Sequence, residues 1–117
     1  MDHLSIVQEA LAETHTYWVS IGRNVGSEPM NLAEWHAFHK DVRDIVFEVK
    51  GTILETVHGR GAWRDGEEES ILILATIPGH RVDYVRTILA SIASIFHQEA
   101  IGFVGGPGTD TYIGSDK

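Results

Sequence analysis

The sequence predicts an α+β fold in which two amphipathic helices cover one face of an antiparallel sheet. Apolar residues recur at helical spacing in two segments, 32–49 and 82–96. Four β-rich runs flank these segments, separated by breaks that contain Gly or Pro. The order is therefore strand, helix, strand, strand, helix, strand, which is the split βαβ pattern of the ferredoxin-like βαββαβ sandwich. We expect a four-stranded sheet in a single domain.

A short helix is predicted ahead of the first strand, within residues 1–14. Leu4, Val7 and Leu11 fall on one face of this segment at helical spacing. The first strand is predicted from Tyr17 to Arg23. The ferredoxin-like core would then run over residues 15–104, followed by a Gly-rich turn and tail over 105–117.

The first long helix has the clearest boundary signals. Asn31 is a favourable N-cap and Glu34 follows three residues later, as a capping box requires. Met30 and Trp35 have the spacing of a hydrophobic staple. Gly51 can adopt a left-handed conformation and is predicted to end the helix.

The second and third strands are predicted to form a hairpin. The second strand runs from Thr52 to Trp63, and Gly59 and Gly61 within it indicate a bulge or a close backbone approach. Asp65-Gly66 is a typical hairpin turn. The return strand is expected over about 69–77, before Pro78 and Gly79.

The second long helix and the last strand complete the pattern. A final strand is predicted over 100–104, with a short extra strand open as an alternative within 109–113. The apolar side of the helix is predicted to comprise Val82, Val85, Ile88, Leu89, Ile92, Ile95 and Phe96.

The third strand is apolar on both of its faces. Successive strand residues point to opposite sides of a sheet, so Leu72 and Leu74 lie opposite Ile71 and Ile73. The helices can cover only one side. We therefore predict that Leu72 and Leu74 form an interface with a second copy, giving a homo-oligomer with a dimer favoured. Cover by the N-terminal helix of the same chain remains the alternative.

Composition excludes several classes of function. The 117 residues carry a formal net charge of −8, which disfavours binding to nucleic acid or to an anionic membrane surface. The absence of cysteine excludes disulfides, thiolate catalysis and Cys-based metal sites. No signal peptide or membrane span is recognised, so a cytoplasmic location is expected. No cofactor is predicted.

Short motifs in a fixed order resemble those of a known family. They are Gly22-Arg23, Trp35-His36-Ala37-Phe38, Gly61-Ala62-Trp63 and Phe96-His97-Gln98-Glu99. This pattern resembles a bacterial domain-of-unknown-function family of small proteins. The resemblance implies the ferredoxin-like fold and implies no activity, because that family is functionally uncharacterised.

One group of residues has the chemistry to bind a small anionic metabolite or nucleotide. Arg23, His58 and Arg60 could form a cationic spot, with Trp63 as a wall and Gln98 nearby. The competing interpretation is that Arg60 or Arg64 pairs across the hairpin with the glutamates at 67–69.

His36 and His39 lie one helical turn apart and could share a metal ion in a hydrolase. A third ligand has no recognisable spacing, so surface histidines are the favoured interpretation and no metal site is predicted. No catalytic residue is assigned either. The sequence thus favours a small soluble homo-oligomeric domain that acts by binding or assembly. An anionic-ligand protein and a metal hydrolase are the alternatives.

Overall fold

The computed structural model describes residues 14–63, 66–105 and 112–114, apart from the side chains of 62, 63, 66 and 112. Within these residues, two α-helices pack on one face of a five-stranded antiparallel sheet. The predicted N-terminal helix, the hairpin turn at 64–65 and most of the Gly-rich turn lie outside the described residues.

The helices are α1 and α2, and the strands are numbered in chain order. A 3₁₀ turn, Gly79–Arg81, precedes α2. The bounds are β1 Thr14–Gly22, β2 Asn24–Val25, β3 Glu28–Pro29, α1 Leu32–Glu48, β4 Thr52–Trp63, β5 Gly66–Pro78, α2 Val82–Ile95, β6 Ala100–Gly105 and β7 Tyr112–Gly114.

The order of the strands in the sheet is β4-β5-β1-β6-β7. β1 is central and pairs antiparallel with both β5 and β6. Within this sheet, the order β4-β5-β1-β6 is compatible with the predicted ferredoxin-like pattern. The sheet has a fifth strand, β7, which pairs with β6 at the edge. β2 and β3 form a separate ribbon between β1 and α1.

The predicted start of α1 is confirmed, while its end differs in detail. The Asn31 side chain accepts a hydrogen bond from the Glu34 backbone N–H at 2.8 Å. Lys50, with a φ of 64°, adopts the left-handed conformation that was predicted for Gly51. Gly51 is needed for a different reason, since a Cβ there would lie 2.5 Å from the Thr76 carbonyl oxygen.

The core lies between the helices and the face of the sheet that they cover. Burial alternates along β1 from Tyr17 and along β5 from Ile71, and the buried side chains on these strands, with Ile101 and Phe103 on β6, form the core with α1 and α2. Two positions predicted for the helical stripes are exposed instead, Leu32 at 57 % and Ile95 at 64 %. Fully buried side chains include Phe38, Val42, Leu89, Val19, Ile21, Ile73, Ile77, Ile101 and Phe103.

The bulge in the β4–β5 hairpin lies far from its predicted position. The register shifts between Ile53 and Glu55 and is then continuous through Gly59 and Gly61 to Trp63. A bulge therefore does not explain the presence of Gly59 and Gly61 in this strand. No helix among the described residues is long and apolar enough to cross a membrane.

Candidate functional site

Arg23 is used to hold the loop after β1. Its Nε donates to the Met30 carbonyl oxygen at 2.8 Å, and its Nη1 donates to Glu69 Oε1 at 3.0 Å. The Glu69 Oε2 accepts a hydrogen bond from Trp35 Nε1 at 3.1 Å. Because Arg23 Nη1 and Trp35 Nε1 donate to it, the pKa of the Glu69 carboxyl is lowered, Arg23 contributing most.

Gln98 holds the same loop from its other side. Its side-chain amide donates to the Asn24 carbonyl oxygen at 3.0 Å, while the Asn24 N–H donates to Glu68 Oε2 at 2.8 Å. Arg23 and Gln98 therefore both fasten the β2–β3 ribbon. The Arg23–Glu69 and Gln98–Asn24 contacts join residues 46 and 74 positions apart in sequence, so no local motif indicates this common role.

His58 and Arg60 share one face of β4, as alternation predicts in the absence of a bulge at the glycines, and their register with Ile71 and Glu69 places that face on the helix side. Arg60 is paired in register with Glu69, and its Nη1 lies 3.9 Å from Glu67 Oε2. Both of these side chains are about 70 % exposed, so this pair contributes little to stability. The Trp63 side chain lies outside the described residues.

The structure brings two separately predicted histidine groups together. The His58 ring lies 6.1 Å from that of His39 on α1, at an interplanar angle of 84°. Burial lowers the pKa of His39, and the charges of Arg43, His58 and His36 lower it further. Among residues 14–63, 66–105 and 112–114, no three His, Asp or Glu side chains come together in a metal-binding group.

The opposite side of the sheet, which we call the open face, carries no described helix. Leu72 and Leu74 lie there and are partly exposed. Their neighbours in register are Val57 and Trp18, and Trp18 in turn pairs with Val104. Val57 is 37 % and Val104 45 % exposed. Because β5 carries apolar side chains on both faces, an apolar patch lies on the surface of the described fold.

Gly59 and Gly61 extend this open face toward the tip of the hairpin, and we call the pair the glycine strip. Their partners in register are Ser70 and Glu68. A Cβ at Gly59 would meet no described atom within 4 Å, and one at Gly61 would meet only Ser70 Oγ, at 4.0 Å. The strip is therefore an open depression beside Val57.

The Glu68 carboxylate borders the strip and is held in place. Its Oε2 accepts from the Asn24 N–H, as described above. The carboxylate also lies directly over Gly22, where any Cβ would collide with it. A side chain at position 22 would therefore require the Glu68 carboxylate to move.

Solved structures with a similar fold include two of phage SAM lyase. A phage SAM lyase in the apo state is similar with a TM-score of 0.56 and 14 % identity, over 88 % of this chain and 90 % of that chain. A phage SAM lyase in complex with S-methyl-5′-thioadenosine is similar with a TM-score of 0.50 and 17 % identity, over 78 % of each chain. At these identities the similarity establishes a shared fold.

No protein-family model matches this chain, and no curated protein matches it. The resemblance to a domain-of-unknown-function family thus stays a prediction.

Proposed function

We propose that this protein binds a sulfur-containing nucleoside on its open face, with the glycine strip as the floor of the site. S-adenosylmethionine (SAM) and S-methyl-5′-thioadenosine are the ligands we favour. The observation that carries the proposal is a pair of strand glycines at positions where the described fold leaves room for a side chain. The fold shared with phage SAM lyases supports the choice of ligand.

Glycine inside a strand is unfavourable, by about 0.5–1 kcal/mol relative to alanine. It is found where a bulge forms or where a ligand or another backbone approaches closely. The register excludes a bulge at Gly59 and Gly61, and no described atom comes within 4 Å of a Cβ at Gly59. We infer that a molecule outside the described fold occupies the space.

The surroundings of the strip suit a cationic nucleoside. Val57 and Leu72 offer an apolar surface beside it, and the Ser70 hydroxyl offers a hydrogen-bonding group. The Glu68 carboxylate would favour the positive sulfonium of SAM, and the net charge of −8 favours a cationic ligand in general.

Isothermal titration calorimetry tests this proposal with a matched ligand pair. S-adenosylhomocysteine lacks the methyl group and the positive sulfonium of SAM, so we expect it to bind more weakly. Glu68→Gln should weaken SAM about fivefold, for a charge interaction of about 1 kcal/mol, and should remove the preference over S-adenosylhomocysteine. Glu28→Gln, at an exposed position on β3, is the control.

Absence of binding at millimolar SAM in wild-type protein would refute the proposal. Chromatography of the same mixtures separates binding from catalysis. We expect SAM to remain intact, in keeping with the non-catalytic role predicted from the sequence. Catalytic release of S-methyl-5′-thioadenosine would show instead that this protein is an enzyme that cleaves SAM.

We further propose that the apolar patch of the open face is an interface with a second copy, giving a cytoplasmic homo-oligomer. A stable interface of ordinary size buries about 1,200–2,000 Å² in total. Leu72 and Leu74 lie at the centre of the patch, between Val57 and Trp18 in register. Such an interface would also close the glycine strip from water.

Light scattering at micromolar concentration tests the assembly. We expect at least a dimer, and expect Leu72→Lys with Leu74→Lys to give a folded monomer, because two buried ammonium groups would face each other across the interface. Thr87→Lys adds a charge at an exposed position of α2 and should leave the mass unchanged. A monomeric wild-type protein would refute the interface and would favour cover by residues 1–13.

A further inference from the structure

A groove runs along the exposed side of α1, on the opposite side of the sheet from the glycine strip. It is lined by side chains from more than two turns of the helix, and the ring of one of them, His39, contacts the His58 ring on β4. We call it the basic groove. Its helical lining comprises His36, His39, Lys40, Arg43, Asp44 and Phe47.

The groove is basic although the protein is acidic. The whole chain has 9 Lys and Arg against 17 Asp and Glu. Of the lining side chains only Asp44 is acidic, and its carboxylate is already paired with Lys40 Nζ at 2.6 Å. The Arg43 guanidinium lies over the Phe47 ring, 5.8 Å from its centroid, where it keeps hydrogen-bond donors at the groove.

His39 lies among basic side chains at this point of the groove. The nearby charges of Arg43, His58 and His36 all oppose its protonation, in addition to its burial. Its Nε2 is also buried without a hydrogen-bond partner among the described residues. A cation would meet this same repulsion, so the groove does not suit a metal ion, whereas an anion would relieve it.

We propose that the basic groove binds a phosphate dianion, either free inorganic phosphate or the phosphate of a small metabolite. A guanidinium and imidazole rings are donors that proteins use for phosphate. Arg43 and His36 line the groove, and the His39 ring in its lining lies against the His58 ring on β4. The net charge of −8 would repel a nucleic acid or an anionic membrane, which restricts the ligand to small molecules. The site is independent of the proposed nucleoside site.

Proton NMR of the imidazole rings tests the site in the intact chain at pH 7. Titration with sodium phosphate should shift the resonances of His39 and His58 saturably, while sodium chloride at the same ionic strength should not. Bound phosphate should also raise the pKa of His39, because its negative charge stabilises the protonated imidazole. Adenosine 5′-monophosphate in place of phosphate distinguishes a metabolite from the free ion by tighter binding.

Substitutions at and outside the basic groove test where phosphate binds. Arg43→Gln with His58→Gln should weaken phosphate binding about tenfold, since the loss of the guanidinium removes a charge-assisted hydrogen bond and the loss of the imidazole removes the ring that packs against His39. Lys50→Asn removes one positive charge outside the lining, and asparagine tolerates the left-handed backbone found there. That control should bind phosphate as wild type does.

Two results would overturn the proposal. One is that phosphate and chloride give the same small, unsaturable shifts. The other is that the double variant, shown by circular dichroism to be folded, binds phosphate as tightly as the Lys50→Asn control.

Discussion

The replacement of Gly59 by valine should separate effects on folding from effects on ligand binding. A Cβ at this position would meet no described atom within 4 Å, and the residue is not among those with positive φ. The substitution therefore introduces no clash and no backbone strain. It replaces a poor strand residue with a good one.

The expected gain in stability follows from these facts. Glycine in a strand costs about 0.5–1 kcal/mol, so Gly59→Val should raise the free energy of unfolding by about that amount. For a chain of this length, we expect the midpoint of thermal unfolding to rise by about 2–5 °C. Circular dichroism at 218 nm as a function of temperature measures it.

The same substitution should abolish binding to the glycine strip. An isopropyl group would occupy the floor of the proposed site, and we expect SAM affinity, measured by calorimetry, to fall at least about tenfold, as overpacking of a pocket commonly does. Thr52→Val adds a similar side chain at an exposed position of the same strand and should change neither affinity nor oligomeric mass. A Gly59→Val protein that binds SAM normally, or that unfolds at lower temperature, would refute this reasoning.

Three further predictions concern the fold and its pH dependence. Phe38→Ala should lower the free energy of unfolding by about 3–5 kcal/mol in urea titrations, because Phe38 is fully buried and its ring stacks on Phe96 at 4.9 Å. Gly51→Ala should lower the thermal midpoint, because its Cβ would lie 2.5 Å from the Thr76 carbonyl oxygen; an unchanged midpoint would contradict this contact. The pKa of Glu69 is lowered in the folded state, so its stabilising contribution is present above the ordinary pKa of glutamate and is lost as the pH falls through the lowered value. Thermal unfolding of Glu69→Gln between pH 3 and 7 should accordingly differ from wild type at pH 7 and converge with it in acid.

Much of the fold could be predicted because its determinants are local. The Asn31 cap acts over three residues, and the start and end of β4 depend on neighbouring glycines and on alternation. Gly59 and Gly61 leave a bulge and a close backbone approach as alternatives, and only the register with β5 excludes the bulge at these positions. The sequence leaves a short extra strand within 109–113 open, because only its pairing with β6 decides whether so few residues form a strand.

The candidate site was predicted only in part, for a similar reason. Alternation along β4 correctly placed His58 and Arg60 on one side of the sheet. It could not indicate that Arg23 and Trp35 share the Glu69 carboxylate, because those contacts join residues 46 and 34 positions apart.

The sequence by itself determined which side chains alternate along β5, and hence that Leu72 and Leu74 lie on the face opposite the core. Periodicity decides this, because it is a property of neighbouring residues on one strand. Only the tertiary structure decided that two glycines and a fixed carboxylate lie beside that apolar patch, and that His58 meets His39 across α1 and β4. Such proximities depend on strand register and on helix packing, which bring distant parts of the chain together.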